Sequence, residues 1–241
     1  MFNLNEGLLK YVFNNEVPYI ALFGSLLLFL LVAYFLGSIN SAIIISNAIY
    51  KEDIRTKGSG NGGMTNMLRS FGWKAALLTL AGDLGKTAIS IFIAGVFFGF
   101  QYVAGISVSE FCYVAGAAAV IGHVFPVYYK FKGGKGVLAT STMALILSPV
   151  PFLILFCIFA AVYGLSKYIS LGSVCVAVLY PVVLHGYFLV AFSGVNMPGL
   201  VALSSIVLAC LIVWCHRENL KRISNRTERK LSFKKKSDDE E

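Results

Sequence analysis

The sequence predicts an all-α polytopic membrane protein with seven transmembrane helices, an external N-terminus and a cytoplasmic C-terminus. The first observation behind this is composition. Of 241 residues, 57% are hydrophobic and only 13% are charged, and the mean hydropathy is +0.76. A soluble core of this size cannot bury so much apolar surface. The second is segment length, since several apolar runs approach or exceed the ~20 residues a helix needs to cross a bilayer about 30 Å thick. Helices satisfy every backbone group within the segment, and the alternating pattern of barrel strands is missing. The third is the placement of positive charge in the connecting loops, which sets orientation.

Taken in order, the first nineteen residues carry Glu6, Lys10 and Glu16 in place of a basic leader, and a small-residue cleavage site is lacking, so no cleaved signal peptide is expected. Apolar segments then run over residues 19–50, 75–100, 108–129, 137–165, 168–192 and 200–215. The loop 51–74 holds Lys51, Arg55, Lys57, Arg69 and Lys74, whereas 101–107 holds no basic residue. The first is therefore inside and the second outside. Lys130, Lys132 and Lys135 bring the chain back inside, and six spans would leave the nine basic residues of 217–236 on the wrong face. One segment must be two helices. The break is expected at Ser148-Pro149-Val150-Pro151, where two prolines lack donors and bias the residues before them away from helix. The two halves are then short. With that turn Lys167 is inside, the uncharged loop 193–198 outside, and the C-terminus cytoplasmic. The chain reads as one domain, 1–241, with 217–241 a basic tail whose charge is explained by topology and anionic lipid headgroups, without a nucleic-acid partner. Five cysteines fall singly in apolar runs with no metal-ligand spacing, and read as small buried hydrophobes.

Polar residues gather on the predicted cytoplasmic side. The loop Gly58-Ser59-Gly60-Asn61-Gly62-Gly63-Met64-Thr65-Asn66, followed by Arg69, has far more hydrogen-bonding capacity than a connector needs. It reads either as a phosphate- or polyol-binding loop, with Arg69 a bidentate clamp, or as a turn with an N-cap. The run Phe131-Lys132-Gly133-Gly134-Lys135-Gly136-Val137 offers glycine amides and lysine charge to an anion, or is a tight basic turn. Asp83 and Lys86 share a face inside an apolar segment, as a structural ion pair or part of a polar site. His123 reads as an interfacial hydrogen-bonding residue, and Ser170-Leu171-Gly172-Ser173 as an N-cap with small packing residues at a cytoplasmic entrance. On a continuous final helix, His216 and Asn219 fall on one face at i and i+3. They could meet both glycine loops.

In chain order these pieces resemble the bacterial glycerol-3-phosphate acyltransferases that use acyl phosphate, the PlsY family. The resemblance is carried by Gly58-Ser59-Gly60-Asn61 with Gly63, Thr65 and Asn66; by Asp83 and Lys86; by Gly122-His123 with Phe125-Pro126; by residues 131–137 with Ala139-Thr140; by Ser170-Leu171 with Ser173; and by His216 through Asn219 with Arg222 and Glu228. It spans nearly the whole chain. Met64, Asn40, Thr87 and Asn225-Arg226 depart from the family pattern without removing a polar participant.

The resemblance implies acyl transfer to the 1-hydroxyl of glycerol 3-phosphate at the cytoplasmic face of a bacterial plasma membrane, giving lysophosphatidic acid and phosphate. It implies catalytic roles for Ser59, Arg69, Lys135, Ser173 and His216, and substrate binding by Gly60, Asn61, Thr65, Asn66, Gly133, Gly134, Gly136 and Asn219. No metal or cofactor is required. The partners are the two substrates, membrane lipid and an enzyme supplying acyl phosphate. Protonated His216 is expected to add its charge to those of Arg69 and Lys135, and the acceptor proton goes to His216 or, in the preferred reading, to a substrate phosphate. Transport of a phosphorylated metabolite and a lipid-binding scaffold are the rival classes, but neither explains the ordered polar motifs.

Overall fold

A computed structural model describes residues 7–230, apart from 15, 17, 100, 101, 104, 105, 108 and 109. The lysines at 234–236 and the acidic end 238–241 lie outside the described residues. Eleven helices are described: α1 (Gly7–Val12), α2 (Tyr19–Ser38), α3 (Ser41–Tyr50), α4 (Met64–Phe71), α5 (Trp73–Phe98), α6 (Glu110–Val124), α7 (Val137–Leu147), α8 (Pro149–Ser166), α9 (Ile169–Ala191), α10 (Gly199–Cys215) and α11 (Arg217–Ser224). The expected all-helical character has one small exception: Tyr102–Val103 and Ile106–Ser107 pair as a two-stranded antiparallel hairpin between α5 and α6.

Among these residues, five helical stretches are long and apolar enough to cross a membrane, and a sixth is added if α10 and α11 form one bent span. At 11 residues α7 is about 16 Å long, too short to cross. The chain breaks at Ser148, with Pro149 opening α8, where the missing proline donor costs nothing. Two further breaks divide segments expected to be continuous. The apolar stretch 19–50 divides at Ile39 and Asn40, where the Asn40 side chain accepts from the Ile43 amide at 3.0 Å and caps α3. The last span bends by 50° at His216, so the continuous helix expected there is corrected to two helices.

The buried centre is α6, whose EFCYVAGAAAVIGHV sequence supplies a surface of small side chains. Helices in lipid gain little from burying apolar surface against one another, so close packing has to hold them. A Cβ on Gly37 of α2 would lie 2.0 Å from the Ala119 carbonyl oxygen, and one on Gly122 would lie 2.2 Å from that of Tyr34. The α2–α6 crossing therefore depends on two facing glycines. Outward, α2 shows Phe23, Leu27 and Leu31, and α8 shows Leu153 and Ile154, as lipid contact requires. A smaller cluster of Ala42, Ile43, Ile54, Met67 and Ala75 seats α3 and the amphipathic α4 at the end of the bundle that carries both glycine loops.

Candidate active site

The short turn after α3 begins the site. Asp53 caps it through the Arg55 amide at 2.9 Å and pairs with the Arg55 guanidinium at 2.7 Å. Arg55 in turn donates to the Tyr129 carbonyl at 3.1 Å, joining the first glycine loop to the approach of the second. Asn66, on the first turn of α4, then pins the loop. Its Oδ1 accepts from the Ser59 amide at 3.0 Å, while its Nδ2 shares two hydrogens among the carbonyls of Ile54, Lys57 and Asn61 at 3.2, 3.0 and 3.0 Å. With 2% of its surface exposed and both amide hydrogens committed to backbone carbonyls, Asn66 holds the loop's shape.

The second loop is held differently. The amide of Gly133 donates to the Val124 carbonyl at 3.2 Å and that of Gly134 to the His123 carbonyl at 3.1 Å, both at the end of α6. Those two N–H groups are not free to form an anion nest. The loops also meet directly, the Gly62 amide donating to the Gly133 carbonyl at 3.4 Å.

Between α4, α7, α8, α9, α10 and the chain after α11 lies a cavity of about 750 Å³. Ten of the thirteen residues expected at the site line it: Ser59, Asn61, Thr65, Asn66, Arg69, Lys135, Gly136, Ser173, His216 and Asn219. Gly60, Gly133 and Gly134 do not. The glycines of the second loop let the backbone lie against α6, and what they present to the cavity is Lys135 and Gly136.

At the polar end, the Lys135 ammonium donates to Oδ1 of Asn219, whose Nδ2 donates to Glu228 at 2.6 Å. Glu228 also accepts from Ser170 at 2.5 Å and from the Arg222 guanidinium at 2.8 Å. The Arg69 guanidinium donates to the Arg229 carbonyl at 3.2 Å. Glu228 thus fixes Asn219 and Arg222 at the wall. Ser170, expected in an N-cap, lies inside α9, whose N-cap is Tyr168, and its hydroxyl goes to Glu228 instead. Glu228 and Arg222 carry no sequence signal beyond their place in the motif, because their contacts form across separate segments.

The charges here respond to one another. Burial pushes the Lys135 ammonium down to about 8, a fall opposed by Glu228 and reinforced by Arg222. Burial also pushes Glu228 up, but hydrogen bonds from Ser170, Asn219 and Arg222 outweigh this and leave it below the usual carboxylate range. Burial and the neighbouring Lys135 charge hold His216 down to about 4. His216 is accordingly neutral near pH 7, which corrects the expectation of a third cation. Its Nδ1 lies 2.7 Å from the Ile212 carbonyl, which can only accept, so the proton is on Nδ1 and Nε2 keeps its lone pair. Ser173 bonds back to the Ile169 carbonyl at 2.9 Å while lining the cavity.

Deeper in, the walls become apolar, with Ala144, Phe152, Leu155, Phe156, Ala177 and Ala209. Ser173 and Tyr180 on α9, and His216 and Ala209 at the end of α10, mark the two depths. Seven residues on a helix is about 10 Å. The cavity therefore joins a cationic, hydrogen-bonding mouth to an apolar slot running into the bundle. Among the described residues, no group of three or more His, Cys, Asp or Glu side chains is arranged to hold a metal ion.

This geometry has relatives. The glycerol-3-phosphate acyltransferase family model matches residues 27–226. Glycerol-3-phosphate acyltransferase of Endomicrobium trichonymphae is 39% identical over 211 residues, covering 87% of this chain and 98% of the relative. That of Mycoplasmopsis agalactiae is 38% identical over 234 residues, covering 88% and 95%. Two crystal structures of PlsY, an integral membrane glycerol 3-phosphate acyltransferase, superimpose at 32% identity, covering 87% of this chain and 96% of theirs. The glycerol 3-phosphate form gives a TM-score of 0.74 and the lysophosphatidic acid form 0.71. A match over residues 27–226, glycine loops and His216 included, places this chain in the glycerol-3-phosphate acyltransferase family.

Proposed function

We propose that the chain transfers a fatty acyl group from acyl phosphate to the 1-hydroxyl of glycerol 3-phosphate, producing lysophosphatidic acid and inorganic phosphate at the cytoplasmic face of a bacterial plasma membrane. The observation that carries this reading is the two-part cavity. Its mouth suits two phosphates and its slot suits a hydrocarbon chain. The glycerol 3-phosphate and lysophosphatidic acid forms of the PlsY neighbour support the acceptor and the product. The basic loops on one face support seven membrane-associated helices with the N-terminus outside, α7 being a short partial crossing.

Acyl phosphate is a mixed anhydride with a good leaving group, so the protein's task is to bring two anionic headgroups together and stabilise a tetrahedral oxyanion. At an effective dielectric constant near 20, each pair of like unit charges 4 Å apart repels by about 4 kcal/mol. Lys135 and Arg222 beside Gly136 offset this for one phosphate, and Arg69, with Ser59 and Asn61, for the other. His216 Nε2 accepts a hydrogen bond from the glycerol hydroxyl and aims it at the acyl carbon. An imidazole held near 4 is a poor base, whereas a phosphate monoester with its second ionisation near 6 is a better one. The hydroxyl proton therefore passes to a substrate phosphate oxygen as the new ester C–O bond forms. The anhydride C–O bond breaks and inorganic phosphate leaves. Ser173 and Asn219 hold the reacting groups in register. The donor is supplied by a separate enzyme that makes acyl phosphate.

Purified full-length chain offered palmitoyl phosphate and, separately, palmitoyl-CoA with labelled glycerol 3-phosphate tests this. Product is expected from acyl phosphate alone, falling by about 1000-fold in Lys135→Ala. Product from the thioester instead would overturn the donor assignment.

A further inference from the structure

A charged network beneath the two glycine loops has a geometry that the proposed roles leave unused. Asp83 and Lys86 on α5 and His123 on α6 are 1%, 6% and 3% exposed. The Lys86 ammonium donates to the Ile39 carbonyl at 2.8 Å and pairs with Asp83 Oδ1 at 2.9 Å, while His123 Nδ1 lies 3.0 Å from the ammonium and 3.6 Å from Asp83 Oδ1. The other imidazole nitrogen, Nε2, faces Gly134, where a Cβ would lie 2.0 Å from it. Asp83 and His123 also line the cavity.

From this ammonium two arms run to the two loops. One passes through His123, whose carbonyl holds the Gly134 amide at 3.1 Å, and its neighbour Val124, whose carbonyl holds that of Gly133 at 3.2 Å. The other passes through Ile39 to Asn40, whose Nδ2 donates to the Gly62 carbonyl at 3.1 Å. The Gly62 amide reaches back to the Gly133 carbonyl, which closes the ring. A buried ion pair in a membrane bundle is expensive, and a structural pair could sit anywhere along the helices. This one stands where both loops are anchored.

We infer that Lys86 is a positioning residue: with Asp83 and His123 it sets the distance between the first and second glycine loops, and hence between the two substrate headgroups. This rests on the assignment of one phosphate to each loop. Each loop keeps its own internal bonds without the network, so loss of Lys86 leaves each headgroup bound and separates them by a small amount. Displacements of about 1 Å cost about 100-fold in rate when two reactants have to meet.

The test uses the purified full chain in detergent with palmitoyl phosphate and glycerol 3-phosphate. The double variant Asp83→Asn/Lys86→Met removes both charges and strands neither. It is expected to lower kcat by about 100-fold while KM for glycerol 3-phosphate stays within about threefold and the protein remains monodisperse with an unchanged melting midpoint. Asn40→Ala, which cuts the other arm, is expected to lower kcat by about tenfold with the same unchanged KM, and its effect on top of the double variant should be much less than multiplicative. A folded double variant with kcat within about threefold of the wild type, or a loss matched by an equal rise in KM, would overturn the inference. If the double variant does not fold, Asn40→Ala decides alone, an unchanged kcat overturning it. Failure of the acyl-phosphate reading is separable, since it shows in the wild-type chain.

Discussion

The two glycine loops converge on one cavity mouth but are built on opposite principles. The first, residues 58–66, is held by side chains: Asn66 bonds two backbone groups within the loop and two in the turn before it, and Asn40 reaches in from outside. The second, residues 131–136, is held by its own backbone against the α6 carbonyls of His123 and Val124. Glycine consequently means different things in the two. In the first, Gly60 supplies positive φ, +72°, where a Cβ would come no closer than 3.4 Å to Arg55, and Gly58, at +59°, also leaves room for Asn66 Oδ1. In the second, Gly133 and Gly134 supply space, because a side chain at either would occupy the room that lets the loop lie on the end of α6.

An alanine pair breaks this comparison most sharply. A Cβ at position 134 would stand 2.0 Å from His123 Nε2 and 2.6 Å from Cε1, and that ring cannot withdraw while Lys86 holds its other nitrogen. Gly134→Ala is expected to abolish turnover, by about 1000-fold or more, because both the loop and the network beneath it must move. Gly60→Ala carries only the left-handed backbone penalty of about 1 kcal/mol and should retain activity within about tenfold. Steady-state assays on the two purified variants check the pair. Equal losses would show that the loops are not built differently.

The next effect is smaller and tests the side-chain-held loop. Asn66→Ala leaves the Ser59 amide and the carbonyls of Ile54, Lys57 and Asn61 to find other partners, at a cost of about 3 kcal/mol. The loop loosens while the α6 anchorage is untouched. Thermal melting is expected to shift downward and KM for glycerol 3-phosphate to rise by about tenfold, with kcat changing less. A variant with wild-type melting and KM would mean that the loop's backbone holds itself.

What could be read from the chain beforehand follows the same division. The break at Ser148-Pro149 was legible because proline's missing donor is a covalent fact. The break at Asn40 was not, since it depends on a cap whose other hydrogen bond goes to a glycine 22 residues away. Asp83 and Lys86 announced themselves by i,i+3 spacing, but His123 joins them from 37 residues beyond Lys86 and only through the α5–α6 packing. Glycine enrichment pointed to two loops that meet at the cavity mouth without telling an amide aimed at a ligand from one bonded to a helix end. Gly133 and Gly134, expected to bind substrate, have their amides bonded to the end of α6. His216 and Asn219, expected on one face of a continuous helix, both line the cavity although α10 and α11 are bent at His216.

The smallest effect concerns the charge that the second loop presents. Lys135 acts as an ammonium, and burial has brought it down to about 8. For the free protein, the ammonium fraction is nearly complete at pH 6 to 7, half at about 8, and falls tenfold per unit above that. The kcat/KM for glycerol 3-phosphate, which reports ionisations of the unliganded protein, should be flat near neutrality and decline with unit slope above about 8. Glu228 opposes that decline, since its negative charge favours the ammonium, and its own carboxyl stays ionised throughout because its hydrogen bonds hold it low. Glu228→Gln keeps a side chain of the same length for Ser170 and Asn219 but removes the charge. The basic limb should then move to lower pH, with the plateau reduced less than the value at pH 8. A limb that stays in place would show that the ionisation limiting the reaction belongs to a group other than Lys135.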